Sequence, residues 1–383
     1  MVSIRFALSA IVIFAVLPAA PACTFCRGPI RSQATLRMRY AAAKFVVQGT
    51  LKNPRFDPQT DRGSTDFHFT TVLKDDPYRK EQKKLTIPQY LPVIGDTPTD
   101  YLLFCDLVEG KLEPLPGLSC RPAVLEYLKA ATTIDDADPA RKLGFFFKHL
   151  DSADATVASD AFLEFARASD VEILKASAQL DPAKVRKLIA DPNSPLERLG
   201  VFAFLLGVCG KQADAEFLAG LLKQNPLSER TTAAFGGLLA GYVMLAPNEG
   251  WPLTATILAD EKRGYSERLS ALGTVRFFQA TRANESKPHV LKCCAALLPV
   301  GDLADQSIED LRRWGYWDLT KDVLSQFGKP THAAPIVKRS IVRYALTCPN
   351  EETKTFLAAV RQTDPKLVRD VEEMLARFAP PKK

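Results

Sequence analysis

The sequence is poor in the residues and motifs that most often carry out catalysis. Its 383 residues include four histidines, and none of them has H-E-x-x-H or H-x-H spacing. There is no G-x-S-x-G nucleophile elbow, and Gly207–Gln212 lacks the spacing of a phosphate-binding P-loop. The three aspartates of Ile134–Ala140 lack the glycine and the terminal glutamate of a calcium loop. We therefore predict a protein that is not an enzyme and that has no cofactor and no metal site.

The sequence also lacks a strong charge of either sign. The formal net charge of +6 is small for this length and is spread along the chain, which does not favour a nucleic-acid partner. The basic tail at 380–383 is too short to be a nucleic-acid arm. No segment beyond the N-terminus is long and apolar enough to span a bilayer. The hydrophobic content of 46% and charged content of 25% are those of an ordinary soluble globular protein.

The N-terminus has the composition of a secretory signal peptide. Arg5 supplies a positive charge, and the apolar run Phe6–Leu17 is too short to cross a membrane. Ala20-Pro21-Ala22 then matches the small-residue pattern of a cleavage site. We predict that residues 1–22 are removed and that the mature protein is secreted or periplasmic.

The first cysteine pair, Cys23 and Cys26, allows several interpretations. A lipid anchor on Cys23 would make the protein a membrane-anchored lipoprotein, but such signals usually carry leucine three residues earlier, where this chain has Ala20. A thiol oxidoreductase usually places C-x-x-C after a strand. The favoured interpretation is structural: outside the cytoplasm these cysteines can form disulfides with Cys105 and Cys120. The sequence leaves the connectivity open.

The N-terminal part of the predicted mature chain has a β-sheet pattern. Apolar alternation and β-branched residues predict four strands, at Lys44–Leu51, Thr65–Lys74, Lys83–Leu91 and Asp100–Leu107. Pro88 favours an edge position for the third of them. Helical segments are predicted before the strands, at Arg31–Lys44, and after them, at Pro122–Ala131, which begins with proline. We assign residues 23–133 to this domain.

This order of elements resembles the netrin-like module found in the tissue inhibitors of metalloproteinases. The resemblance covers about residues 23–130 and depends on the N-terminal cysteine, "AKFVVQGTL", "VLKD" and "YLLFCD". It implies a small OB-like β-barrel. In that family a C-x-C start chelates the zinc of the target protease, whereas this chain has C-x-x-C, at Cys23-Thr24-Phe25-Cys26. The resemblance implies protease inhibition as an alternative function.

The apolar residues in the rest of the chain have helical spacing throughout. After a linker at 134–140, residues 141–379 are predicted to form an α-helical repeat array. A Glu-Arg pair recurs at three predicted helix starts, at Glu197, Glu229 and Glu267, with offsets of 32 and 38 residues. We predict a HEAT-like α-solenoid, with an irregular bundle as the alternative. The fold class is therefore α+β multidomain, a small OB-like β-barrel followed by an α-solenoid.

Helical arrays expose long surfaces that usually bind proteins or peptides. The candidate partner-binding residues are the arginines Arg198, Arg230 and Arg268, which recur at matching positions, and the tryptophans Trp314 and Trp317. Each arginine can instead pair with a neighbouring helix, and both tryptophan rings can pack at a corner where Gly315 ends one helix and Asp318 caps the next. The whole chain also looks like bacterial exported proteins of this layout.

We therefore predict an exported scaffold that binds an unknown protein or peptide. The alternatives are a metalloprotease inhibitor and a thiol oxidoreductase using Cys23 and Cys26.

Overall fold

A computed structural model describes residues 23–25, 32–93 and 100–378 of the chain. The predicted signal peptide, Cys26 and the basic tail at 380–383 lie outside the described residues. Among the described residues, an antiparallel sheet comes first and a helical array follows it. The predicted succession of a β domain and an array of helices is confirmed.

The sheet follows one short helix, α1 (Leu36–Ala42), which Thr35 caps by accepting a hydrogen bond from the amide of Met38. Six strands are described: β1 (Phe45–Asp57), β2 (Arg62–Lys74), β3 (Lys84–Ile87), β4 (Asp100–Val108), β5 (Lys111–Pro114) and β6 (Leu118–Ser119). Their order is β3-β2-β1-β4-β5, and β6 pairs with β4. The four predicted strands are present, β3 is at an edge, and the short strands β5 and β6 are additional. Closure into a barrel stays a prediction.

Strand β4, which pairs with β1, β5 and β6, separates two apolar clusters. Leu102 and Phe104 face the helices and belong to a first cluster that runs through most of the array. Leu103 and Cys105 point to the opposite face and belong to a second cluster made by the sheet alone. This alternation follows from the two-residue period of a strand. The sheet is therefore packed on both faces, against the helices on one side and within a cluster of residues from its own strands on the other.

Sixteen helices follow the sheet in the described part of the chain. They are α2 (Pro122–Ala131), α3 (Pro139–Phe147), α4 (Ala155–Arg167), α5 (Asp170–Lys175), α6 (Pro182–Ala190), α7 (Leu196–Cys209), α8 (Gln212–Leu222), α9 (Glu229–Leu245), α10 (Pro247–Ala259), α11 (Tyr265–Thr281), α12 (Ala283–Leu297), α13 (Ala304–Trp314), α14 (Thr320–Leu324), α15 (Pro335–Thr347), α16 (Glu351–Thr363) and α17 (Pro365–Phe378).

The central helices form two layers. Helices α7, α9 and α11 lie side by side, and α8, α10 and α12 pack behind them. Glu197, Glu229 and Glu267 each lie in the first turn of a helix of the front layer, as their recurrence predicted. An acidic side chain there interacts favourably with the helix dipole. The structure supports a helical array, whereas its description as a regular HEAT-like solenoid stays a prediction.

Helices α7 and α9 approach each other closely because glycines face each other across their contact. A Cβ atom on Gly237 would lie 1.9 Å from the carbonyl oxygen of Gly200, and one on Gly207 would lie 2.3 Å from the Cα of Gly241. Both distances are far below van der Waals contact. The two helix backbones can therefore touch only where side chains are absent.

A buried carboxyl group joins the sheet domain to the array. Asp160 of α4 accepts hydrogen bonds from the backbone N–H of Leu36 at 2.6 Å and from the hydroxyl of Tyr127 at 2.8 Å. Burial raises the pKa of Asp160 to about 6, although these two hydrogen bonds act in the opposite direction. Next to it, Arg37 of α1 pairs with Glu164 and Asp136.

No helix among the described residues combines the length and the apolarity needed to cross a bilayer.

Candidate functional site

Thr24 and Phe25 lie on the helical array, in a groove formed by α7, α9 and α11, and Cys23, which precedes them, belongs to the same apolar cluster as Phe25. They form neither helix nor strand. Thr24 contacts the array through hydrogen bonds to a side chain, and Phe25 contacts it through its ring. The sequence assigned these residues to the β domain, whereas Thr24 and Phe25 contact helices of the array.

The ring of Phe25 occupies an aromatic slot. Its centroid lies 4.9 Å from the ring of Phe204 in α7 and 5.2 Å from the ring of Phe277 in α11, and those two rings are 5.1 Å apart. These separations are typical of favourable tilted and edge-to-face aromatic pairs. Phe25 is buried, with 7% of its surface exposed. The slot therefore holds the aromatic side chain of Phe25 between two other rings.

Thr24 is bound by a carboxylate. Its backbone N–H donates to Oδ1 of Asp170 at 3.0 Å, and its hydroxyl donates to Oδ2 of the same group at 2.5 Å. Hydrogen bonds to an ionised acceptor are stronger than neutral ones. Asp170 is the first residue of α5, whose start is fixed by a capping box between Ser169 and Glu172. The carboxylate is therefore held on a rigid helix end.

Small residues line the rest of the groove. They are Gly200, Ala233, Gly236, Gly237, Ser270 and Gly273. A Cβ atom on Gly200 would lie 3.1 Å from the carbonyl oxygen of Phe25, a tight contact, so the glycine helps the segment to approach α7 closely. Beside the segment, these residues enclose a pocket of about 140 Å³. The segment therefore fills the groove only in part.

The predicted arginines make contacts within the chain. Arg268 is buried and forms a two-pronged pair with Asp302, at 2.8 and 2.7 Å. Arg230 donates to four backbone carbonyls at the end of α6 and in the loop after it. Arg198 lies over the ring of Phe162, 5.2 Å from its centroid. Arg230 and Arg268 thus pair with carbonyls and with a carboxylate of the same chain, which the sequence offered as the alternative to partner binding, whereas Arg198 contacts a ring instead.

The tryptophans pack at a corner of the array, and both are half-buried. Trp314 lies 5.9 Å from the ring of Tyr316, and Trp317 lies 5.0 Å from the ring of Tyr344. Gly315 ends α13 with a φ of 68°, as predicted. The predicted cap by Asp318 is wrong: Leu319 precedes α14, and the carboxylate of Asp318 pairs with Lys287 at 3.2 Å.

The predicted disulfides between the N-terminal cysteines and Cys105 or Cys120 are not supported. Cys105 and Cys120 are both buried and carry no disulfide bond. Cys105 also faces the second cluster, whereas Cys23 belongs to the first, so the sheet separates them. Burial raises the pKa of Cys105 to about 12 and that of Cys120 to about 11, which makes both thiols poor nucleophiles.

Metal ligation has no obvious centre in the part of the chain that the structure describes. No group of three or more His, Cys, Asp or Glu side chains among those residues is arranged to hold an ion.

The comparisons with known proteins give no relative on which to base a function. No family model matches the chain, and no curated protein matches its sequence. The groove is thus interpreted from its own chemistry.

The residues that form the groove were not identified from the sequence. They come from distant positions, which include Thr24, Asp170, Phe204, Gly236 and Phe277. Two signals were present in the sequence: the Ser-x-x-Glu capping box at 169–172 and the two adjacent glycines inside the helix at 231–245. A glycine pair within a helix indicates close approach of another backbone, but it does not identify which one.

Proposed function

We propose that the protein is an exported, non-enzymatic scaffold that binds a protein or peptide through its helical array. The observation that carries the proposal is the groove across α7, α9 and α11, which holds a non-helical segment of polypeptide at Thr24 and Phe25. A surface that binds such a segment of its own chain has the shape needed to bind one from another chain.

The groove has three properties of a peptide-binding surface. Its small residues let a backbone come close, its aromatic slot takes an anchoring ring, and Asp170 accepts hydrogen bonds from the bound segment. Buried aromatic anchors usually carry most of the affinity of such contacts. The arginines suggested by the sequence have less support, because Arg230 and Arg268 already bind groups of the same chain.

The alternatives have less support as well. Zinc chelation by an N-terminal cysteine, thiol exchange and lipid attachment all need an accessible Cys23. In the structure Cys23 has 0% of its surface exposed.

A groove-filling substitution tests the proposal. A Cβ atom on Gly273 would meet no other atom within 4 Å, so Gly273→Leu adds a side chain to the groove without a clash at its root. Gly220 in α8 has equally open surroundings and lies away from the groove, so Gly220→Leu is the matched control. Both variants replace a helical glycine and should fold.

The full chain and both variants are immobilised and exposed to an extract of exported proteins, and the retained proteins are identified by mass spectrometry. We expect proteins that bind the wild type and Gly220→Leu but not Gly273→Leu. Retention that Gly273→Leu leaves unchanged, or no retention above the empty matrix, contradicts the proposal.

A further inference from the structure

We propose that the groove recognises a peptide in which a hydroxyl-bearing residue precedes an aromatic residue, and that the chain's own Thr24-Phe25 is a resident ligand that such a peptide must displace. This inference rests on the proposed function. It names the class of ligand and the way in which the resident segment regulates ligand binding.

The ligand class follows from the contacts that the resident segment makes. The residue before the aromatic one supplies two donors, a backbone N–H and a hydroxyl, to the carboxylate of Asp170. The aromatic residue fills the slot between Phe204 and Phe277. A carboxylate at the first position would repel Asp170, and an aliphatic side chain at the second would lose the ring contacts.

The pocket beside the segment indicates that the resident ligand is not the best fit. A space of about 140 Å³ stays open next to Thr24 and Phe25. Its lining includes Ser270 and Gly273 of α11. A peptide with larger residues around the Thr-Phe pair can fill this space and gain contacts that the resident segment does not make.

The resident segment regulates peptide binding because it is covalently joined to the array. The segment and the array belong to one chain, so the segment competes at a fixed effective concentration, which we take to be on the order of 1 mM. At an effective concentration of about 1 mM, a resident segment whose own dissociation constant for the groove is about 100 μM weakens the binding of any external peptide by about tenfold. The resident segment thus sets a threshold that an external ligand must exceed.

The test uses a fluorescein-labelled hexapeptide, Ser-Thr-Phe-Ser-Arg-Gly, which copies residues 23–28 with serine in place of both cysteines. Binding to the full chain is measured by fluorescence anisotropy. In Phe25→Ala the resident anchor is lost, and we expect this variant to bind the probe at least ~tenfold more tightly than the wild type does. A probe with alanine in place of phenylalanine should not bind either protein.

Second substitutions locate the binding. Added to Phe25→Ala, Asp170→Asn should weaken probe binding by about tenfold or more, because it removes the carboxylate that accepts the two hydrogen bonds from the residue before the ring. Adding Gly220→Leu should leave binding unchanged. Circular dichroism and the unfolding midpoint show whether each variant is folded, and Phe25→Leu, which keeps an apolar anchor, gives a second measurement with an intermediate gain expected.

The inference is overturned if folded Phe25→Ala binds the probe no better than the wild type at millimolar peptide, or if adding Asp170→Asn does not weaken binding. The proposed function still stands after that result if exported proteins are retained by the wild type but not by Gly273→Leu. The groove then binds a peptide of a different chemical class. If the probe binds as expected but no exported protein is retained, the proposed function alone is contradicted.

Discussion

At the scale of single residues, the carboxyl group of Asp160 is the clearest case of a side chain under opposing influences. It is 5% exposed and accepts two hydrogen bonds, yet burial raises its pKa to about 6. In the unfolded chain this group ionises at its lower, ordinary pKa. The folded state therefore binds the proton more tightly, and the stability that Asp160 contributes is present at acid pH and is lost as the pH rises through about 6.

We expect Asp160→Asn to remove this dependence. An amide can accept from Leu36 and donate to the oxygen of Tyr127 without carrying a charge. Between about pH 4 and pH 7, the wild type should lose up to about 3 kcal/mol of unfolding free energy relative to the variant. Urea unfolding at both pH values measures the difference, and parallel curves for the two proteins contradict it.

Asp154→Asn is the control with the opposite sign. Burial raises the pKa of Asp154, but hydrogen bonds from Arg121 and from the amides of Thr156 and Val157 outweigh it and hold the pKa below the ordinary value. The stability that Asp154 contributes is thus present at neutral pH and is lost as the pH falls. This variant should therefore lose more stability, relative to the wild type, at pH 7 than in acid.

The three recurring arginines should differ in their effect on stability. Arg268→Ala removes a buried, two-pronged ion pair with Asp302, and Arg230→Ala leaves four carbonyls without their donor. Each should lower the unfolding free energy by about 2 kcal/mol. Arg198→Ala loses only its position over Phe162 and should cost about 1 kcal/mol or less.

Urea unfolding of the three variants checks this order. Changes below about 0.5 kcal/mol for all three would mean that the arginines are not structural. Their earlier interpretation as partner-binding residues would then regain support.

At the scale of elements, the contact between α7 and α9 depends on the absence of side chains. Gly237→Ala would place a methyl group 1.9 Å from the carbonyl oxygen of Gly200, so the helices must separate. We expect a loss of about 2 to 3 kcal/mol of unfolding free energy, as for other overpacked contacts. Gly220→Ala, whose Cβ atom would meet nothing within 4 Å, should instead gain up to about 1 kcal/mol through helix propensity.

Thermal unfolding of both glycine variants tests the close packing. Equal effects of the two substitutions would contradict it, because helix propensity alone makes no distinction between them.

The elements that the sequence predicted best are those with local signals. Helix α2 begins at Pro122 and ends at Ala131, as predicted, because proline favours the first position of a helix. Strand β5 was missed, since its four residues pair with β4 and have little pattern of their own. The cap at Asp318 failed because the side chain has a distant partner, Lys287. The groove was missed for the same reason: its residues meet only in three dimensions.

At the scale of the whole molecule, the packing is continuous from the sheet to the array but changes near the C-terminus. The first cluster includes Val46 of β1 and reaches Tyr344 of α15. A separate, smaller cluster joins α15, α16 and α17 through residues such as Val342, Leu357 and Val371. Regions that bury less apolar surface open at lower free energy.

Amide hydrogen exchange should therefore show the weakest protection in α16 and α17, and similar, stronger protection in β4 and α9. Peptide-resolved mass spectrometry under native conditions measures it. Equal protection along the whole array would contradict the division between the clusters, whereas early exchange of β4 would mean that the sheet opens independently.

The buried thiols are natural reporters of local opening of the fold. Burial raises the pKa of Cys105 and of Cys294 to about 12 and that of Cys120 to about 11, so almost none of the reactive thiolate exists at neutral pH while the fold is closed. An alkylating reagent then reacts only after a local opening. Cys105 is buried on the sheet face opposite the helices, Cys120 precedes α2, and Cys294 is inside the array. The labelling rates of these three cysteines therefore report how often each of three regions opens, without any engineered probe.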